Sequence, residues 1–451
     1  MRSPWLTTKY TSLSAVRRLK LKVDGRPFTI LLNPAYGSWM VLNQDESERY
    51  DFGFLTECEW ENLYIRGLAA SVETGVVTHD FPPPANLPSL IVVNVTTACN
   101  LACSYCFADC QPTTPELMSS EVIRATVSQT LTLPEIKAFT YEFQGGEPTL
   151  GTSVIREFIE CVEKNRSGKA QIKYHIQSNG TNITDDFVNL ATQYGIQVGI
   201  SIDGPPHIHD AARAFPDGSG SFALIGDGIR KLRASGVPIE GSICNLGRHN
   251  VTHIAEILEF FELLEIPFSP RPLNILGRAT DRSLHPRPGE WATAFKELHR
   301  RSRTSSVENF AIHIWEENTY TPVRDYVCLR FPCGAGREVI SVNPNGDVYP
   351  CDGFKNEPAF KLGNICETTL LDMLAQPSLG TLKNRVASTI PKCSTCLFRG
   401  MCGSCCYSAF GAFGTIWRED PQCSDRRKIF LFLIAEWIRT NILKPKALTA
   451  D

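Results

Sequence analysis

No stretch of the chain approaches the about 18 uninterrupted apolar residues that a membrane helix needs, so no membrane partner is expected. The opening residues, Met1 to Lys9, hold no signal-peptide apolar core, and a cytoplasmic protein is expected. An excess of one charge is missing too: 45 Lys and Arg stand against 48 Asp and Glu, a formal net charge of -3. Without a basic surplus to neutralise phosphates, nucleic acid is not an expected partner. What remains is an ordinary soluble composition, 43% hydrophobic and 21% charged, over 451 residues. That length allows two or three domains of roughly 100–200 residues each.

Cysteine is abundant instead. There are 17, an odd number, and a reducing cytosol argues against a disulfide framework. Clustered sulfur in such a chain points to metal or redox chemistry. Three cysteines lie within 99–106, and eight more (Cys328, Cys333, Cys351, Cys393, Cys396, Cys402, Cys406, Cys423) follow at short spacings. Cys58, Cys110, Cys161, Cys244, Cys366 and Cys405 are scattered and read as small buried hydrophobes.

Residues 1–87 form a first α+β unit. Apolar alternation over 19–23 and 28–32 flanks Asp24-Gly25-Arg26, a hairpin signature. A further strand is expected over 37–43 and a helix over 57–70, and Pro82, Pro83 and Pro84 mark a stiff boundary. From residue 88 to 310 the pattern becomes β/α alternation. Continuous apolar strands are expected at 90–95, 139–143, 172–177, 196–202, 239–243 and 268–273, with helices at 120–131, 153–164, 185–194, 223–234 and 253–264. Such alternation means a parallel sheet with crossover helices. Six repeats are too few to close an eight-stranded barrel, so an α/β fold with an open, partial (β/α)6 TIM-like barrel is expected. Its chemistry belongs at the C-terminal strand ends. From 311 to 451 periodicity fades into cysteine, glycine and turn signals, up to a helix over 429–442. A segment so poor in a core of its own needs metal clusters as staples.

After the first strand come Cys99, Cys103 and Cys106. Three thiolates in eight residues can hold three irons of a [4Fe–4S] cube and leave the fourth iron open, as catalytic zinc sites keep an open position. A zinc site completed by Cys110 is the alternative. The Cys-x3-Cys-x-aromatic-Cys pattern, placed here in a six-fold β/α repeat, resembles the radical SAM superfamily. The resemblance implies that the open iron chelates S-adenosylmethionine, which is cleaved reductively to a 5′-deoxyadenosyl radical that abstracts a substrate hydrogen. It places Tyr105 and Leu273 near the adenine. Gly145-Gly146-Glu147-Pro148, after the second strand, resembles the family's site for the methionyl amino group. Ser178 and Asn179 end the third strand on the cofactor side. Counterparts of Ser201 and Arg213 bind ribose and carboxylate, although Ser201 and Asn179 read alone serve equally as strand-end caps. His207 and His209 read as structural.

The C-terminal cysteine spacing resembles the SPASM extension of that family, with zinc as the alternative. The resemblance implies two auxiliary [4Fe–4S] clusters, three in all: one on Cys328, Cys333, Cys351 and Cys406, the other on Cys393, Cys396, Cys402 and Cys423. Cys405 is an alternative to Cys406, and without Cys328 the first cluster keeps an open iron. Asp352, directly after Cys351, resembles the general base of anaerobic sulfatase-maturing enzymes; a turn-capping role is the alternative. The residues preceding the first motif argue for a maturase of ribosomally made peptides. They resemble a winged-helix-like leader-recognition element that pairs a peptide strand with its sheet edge, with an oligomerisation domain as the alternative. The expected activity is a carbon–carbon or carbon–heteroatom crosslink in a leader-bearing precursor peptide, driven by a reductase or a flavodoxin- or ferredoxin-type donor. Formylglycine formation in sulfatases is the competing activity, and a non-catalytic iron–sulfur electron carrier is the competing class.

Overall fold

The computed structural model of the chain describes residues 10–72, 87–110, 116–134, 138–166, 170–321, 328 and 332–443. Strands β1 (Tyr10–Ser12), β2 (Arg17–Val23), β3 (Arg26–Asn33) and β4 (Ser38–Leu42) precede helices α1 (Gln44–Phe52) and α2 (Glu57–Ile65) and strand β5 (Ala69–Ser71). The expected hairpin forms. Asp24 and Gly25 take positive φ values of 49° and 82° at its tip, and β2, β3 and β4 make an antiparallel sheet. Helix α1 was not expected, because Tyr50 is its one buried residue and it shows no apolar period. A capping box holds it instead: Asn43 Oδ1 accepts from Glu46 N at 2.9 Å, and Glu46 Oε2 accepts from Asn43 N at 2.8 Å. The expected proline boundary lies outside the described residues.

One face of this sheet closes a small core with Tyr50, Trp60 and Leu63. The other face joins the main core through Trp39, whose indole nitrogen donates to Thr319 O at 2.6 Å and whose ring centroid is 5.2 Å from that of Trp437.

The six expected central strands are β6 (Leu90–Thr96), β7 (Ala138–Gly145), β8 (Gln171–Ser178), β9 (Gln197–Ser201), β10 (Ile239–Leu246) and β11 (Phe268–Pro272). They pair in parallel, each with its successor. Between them run α3 (Ser120–Leu131), α4 (Thr152–Asn165), α5 (Asp185–Tyr194), the short α6 (Pro206–His209), α7 (Phe222–Ala234) and α8 (Ile254–Leu264). Strands β7 and β8 differ from expectation in that their burial alternates, whereas β6 and β9 are continuously buried as expected. On β7, Phe139, Tyr141 and Phe143 enter the core while Glu142 and Gln144 stay half-buried on the opposite face, and β8 repeats this with Tyr174 and Ile176 against His175 and Gln177. One face therefore packs on helices and the other is polar.

Helices α9 (Glu290–Ser302) and α10 (Phe310–Tyr320) follow, then β12 (Val339–Val342), β13 (Asp347–Tyr349) and β14 (Gly363–Asn364). Strand β12 pairs in parallel with β6, Ile340 opposite Ile91, so the nine-stranded sheet runs β11-β10-β9-β8-β7-β6-β12-β13-β14. Short helices α11 (Leu370–Ala375), α12 (Pro377–Lys383) and α13 (Pro391–Ser394) lead to α14 (Cys406–Phe413) and α15 (Cys423–Ile438). The expectation of a coreless C-terminal region is corrected: Ile340, Phe354, Met373, Phe398 and Phe430 belong to the same core as the barrel. Their apolar contacts are contributed to a shared interior, which a local reading of periodicity does not register. Among the described residues, no helix is long and apolar enough to cross a membrane.

Trp39→Ala removes the aromatic anchor between the N-terminal sheet and α15. It is expected to destabilise the protein by about 3–5 kcal/mol, read as a lowered urea midpoint, with Trp39→Phe losing less.

Candidate functional site

The loop leaving β6 carries Cys99, Cys103 and Cys106, and other parts of the chain hold it in place. Ala102 N and Ser104 N donate to Ala214 O and Ala212 O at 2.8 and 3.0 Å. Arg278, from the segment after β11, donates from its backbone to Cys106 O and from Nη1 to Cys103 O, both at 3.0 Å, and its Nε donates to Asp109 Oδ1 at 3.0 Å. Burial pushes the Cys99 thiol up to about 12 and raises Cys103 as well. A hydrogen bond from the Cys110 thiol lowers Cys106. Buried thiols with raised pKa values lose their protons when a cation takes the proton's place, so this donor set fits a thiolate-bound metal group.

Gly145 and Gly146 bring the end of β7 against this loop. A Cβ at Gly146 would stand 2.0 Å from Ala98 O, and Gly145 has φ +137°. Gly146 N donates to Thr96 O at 2.9 Å, and Glu147 N donates to Ala98 O at 2.8 Å. The Glu147 carboxylate, 1% exposed, accepts from Thr149 N at 3.0 Å, Thr149 Oγ1 at 2.6 Å, Ser178 Oγ at 2.8 Å and Asn179 N at 2.7 Å. Burial raises its pKa against these donors. Asn179 also reaches Cys99, donating from Nδ2 to Sγ at 3.9 Å. Thr149, Ser178 and Asn179 thus tie this carboxylate, which the resemblance assigns to the methionyl amino group, to the end of β8.

At the end of β9, Ser201 Oγ accepts from Gln177 Nε2 at 3.0 Å. The next acidic residue, Asp203, was not singled out in the sequence. It is fully buried, accepts from Arg213 Nε at 3.0 Å and from the Tyr105 hydroxyl, and takes Asn245 N on its other oxygen at 2.9 Å. Burial alone would raise Asp203, but the Arg213 charge holds it below the usual carboxylate range. The Arg213 guanidinium lies 5.3 Å from the Tyr105 ring centroid. Tyr105 and Leu273 share one small apolar cluster with Ala212 and Ala279. His209 is structural, bonded to Asp203 N and Ser221 Oγ and held near 4 by burial. His207 pairs with Glu256 at the surface.

The C-terminal cysteines form two groups. Cys351 is raised by burial and by the nearby thiols of Cys333, Cys405 and Cys328, and Cys406 is hydrogen-bonded to Cys333 and Cys405. Cys402, pushed up to about 12 by burial, feels Cys393 and Cys396, and Cys423 feels Cys396. The turn between the groups is gripped by two buried arginines that no sequence signal revealed. Arg385 Nη1 donates to Ser404 O at 2.6 Å, and Arg426 Nη1 to Gly403 O at 3.4 Å. Among the described residues, no three His, Cys, Asp or Glu side chains gather closely enough to cage a single ion.

Asp352 follows Cys351 and turns toward the barrel. Its Oδ1 accepts from Asn94 Nδ2 at 3.0 Å and Ser341 Oγ at 3.1 Å, and its Oδ2 pairs with Lys355 Nζ at 3.2 Å. Lys355, also unforeseen, reaches Asn94 Oδ1 at 3.0 Å and lines a cavity of about 330 Å³ with Asn94, Cys110 and Gly145.

The chain resembles known proteins over much of its length. Residues 93–261 match the model of the radical SAM superfamily, and residues 333–397 match that of SPASM, an iron-sulfur cluster-binding domain. The cysteine-type anaerobic sulfatase-maturating enzyme of Clostridium novyi is 29% identical, over 70% of this chain and 87% of the relative. Mycofactocin maturase MftC of Mycobacterium ulcerans is 25% identical over 74% and 88%. The structure of Streptococcus suis SuiB bound to its precursor peptide SuiA superposes with a TM-score of 0.56 and 15% identity, covering 91% of this chain and 98% of SuiB. SuiB has also been solved with S-adenosylmethionine bound.

Two substitutions test the support of the cysteine loop. Gly146→Ala drives a methyl into the Ala98 carbonyl and is expected to cost the chain about four irons, one cube, on anaerobic reconstitution. Arg278→Gln is expected to leave folding intact by circular dichroism while the same loop loses iron more readily to a chelator.

Proposed function

Because this chain carries a radical SAM domain followed by a SPASM iron–sulfur domain, we propose that it is a maturase that crosslinks a ribosomally made precursor peptide. The supporting observation is that the three-cysteine loop, the Gly145-Gly146-Glu147 turn and the Tyr105–Asp203–Arg213 network sit at neighbouring strand ends of one sheet whose open face is polar. Cys99, Cys103 and Cys106 would hold the cluster that binds S-adenosylmethionine, with Ser178, Asn179, Ser201 and Arg213 around it. Cys328, Cys333, Cys351 and Cys406 would hold one auxiliary cluster, and Cys393, Cys396, Cys402 and Cys423 the other. When bound, the first cluster would supply reductive cleavage of S-adenosylmethionine to a 5′-deoxyadenosyl radical, and the auxiliary clusters would accept the electron that ring closure leaves on the substrate. The chain's own residues orient and enclose. Arg278 fixes the cysteine loop, Glu147 ties the strand ends together, and Asp352, oriented by Lys355, is the candidate proton acceptor on the substrate side. Electrons would come from a reductase or a flavodoxin- or ferredoxin-type donor.

The N-terminal unit would engage the leader of the precursor. Strand β4 is an edge of its sheet, and along it, facing Asn62, Ile65 and Arg66 near α2, runs a groove of about 570 Å³. The Ser38 hydroxyl in this groove is buried without a hydrogen-bond partner among the described residues. An added peptide strand would supply both backbone pairing and that missing bond.

The reconstituted protein, given dithionite and S-adenosylmethionine, is expected to release 5′-deoxyadenosine, and the Cys99→Ala/Cys103→Ala/Cys106→Ala variant none. A precursor peptide from a neighbouring gene is expected to emerge lighter by two hydrogens per crosslink in tandem mass spectrometry. Formylglycine in a sulfatase peptide would instead establish the sulfatase-maturing activity named for the Clostridium novyi relative. Absence of deoxyadenosine with every substrate tried would leave an electron carrier.

A further inference from the structure

His249 lies in the segment after β10 and has no part in the reading above. Its ring stacks on Tyr105, with centroids 5.9 Å apart and planes at 16°. Leu273 crowds the same place. A Cβ on Gly247 would stand 2.8 Å from His249 Nδ1 and 2.9 Å from Leu273 Cδ1, so both side chains press on one backbone position. His249 therefore adjoins the two residues that resemblance assigns to the adenine of the cofactor. Its Nε2 is buried and has no hydrogen-bond partner among the described residues. A buried polar atom left unpaired is destabilising, and such atoms in native proteins call for a missing partner. Burial lowers the pKa of the ring, which is consequently neutral near pH 7 and presents one donor and one acceptor nitrogen. The other polar groups nearby are already engaged: the Tyr105 hydroxyl and Arg213 Nε both bond Asp203. An adenine edge offers an amino donor at N6 and acceptors at N1 and N7, either of which a neutral imidazole matches.

We propose that His249 is a specificity residue for the adenine of S-adenosylmethionine, with Nε2 making a hydrogen bond to the base edge. This rests on the cofactor reading above, and the test separates the two. Binding of S-adenosylmethionine and of methionine alone is measured calorimetrically on the reconstituted protein and on His249→Phe, which keeps the ring stack but loses both nitrogens. The expected result is about tenfold weaker binding of S-adenosylmethionine, with methionine affinity, iron content and visible spectrum unchanged. Unchanged affinity for S-adenosylmethionine, or equal weakening of both ligands, would overturn the proposal. On the unaltered protein, cofactor analogues changed singly at adenine N1, N6 or N7 provide a second measurement that does not depend on the variant folding. At least one is expected to bind about tenfold more weakly, and equal binding of all three would also overturn it. If the unaltered protein binds no S-adenosylmethionine, the cofactor reading itself falls, and His249 with it.

Discussion

A carboxylate taken out of water is costly unless donors replace the solvent, and the site is organised around one such group. Glu147 gathers its donors from Thr149 beside it and from Ser178 and Asn179 at the end of β8. Its own N–H is committed to Ala98 in the cysteine loop. Asn179 then carries the connection to the Cys99 sulfur and to Asn100. Three strand ends and the first thiol are thus registered against one another by Glu147 and Asn179 together. The glycines before it matter for the same reason, since any side chain at Gly146 would hold the loop away.

Much of this was legible in the sequence. The six central strands and their helices appear in the expected order, because long segments with strong apolar patterning report their own secondary structure. The hairpin at Asp24-Gly25 was equally plain, since the turn chemistry is local. Several features were not legible. Helix α1 is specified by its caps rather than by an apolar face. The inward alternation of β7 and β8 was hidden because threonine, glutamine and tyrosine blur an apolar count. Arg278, Arg385 and Arg426 bind main-chain carbonyls far away in sequence, and nothing in their neighbourhoods announces it. Asp203 stood within a segment already singled out, two residues after Ser201 and ten before Arg213, and that spacing was the available signal.

The C-terminal region shows how sulfur and packing divide the labour. Its cysteines segregate into two groups joined by the Gly403–Ser404 turn, and buried arginines clamp that turn through its carbonyl oxygens. Guanidinium groups are fit for this, having several donors in a rigid plane. Arg426 is itself balanced by Asp420 at 3.0 Å. Apolar residues from the same region enter the common core, so burial and sulfur together hold these short helices in place.

Strand β12 gives the architecture its least modular feature. By lying parallel beside β6, it occupies the edge at which the last strand of a longer repeat would have closed the barrel, and it places a strand from the last third of the chain next to the strand that launches the cysteine loop. The two regions are consequently not beads on a string. Cutting between them would bare a row of backbone donors and acceptors on β6, an invitation to aggregation. Chimeras that exchange the C-terminal portion among relatives must therefore preserve this seam.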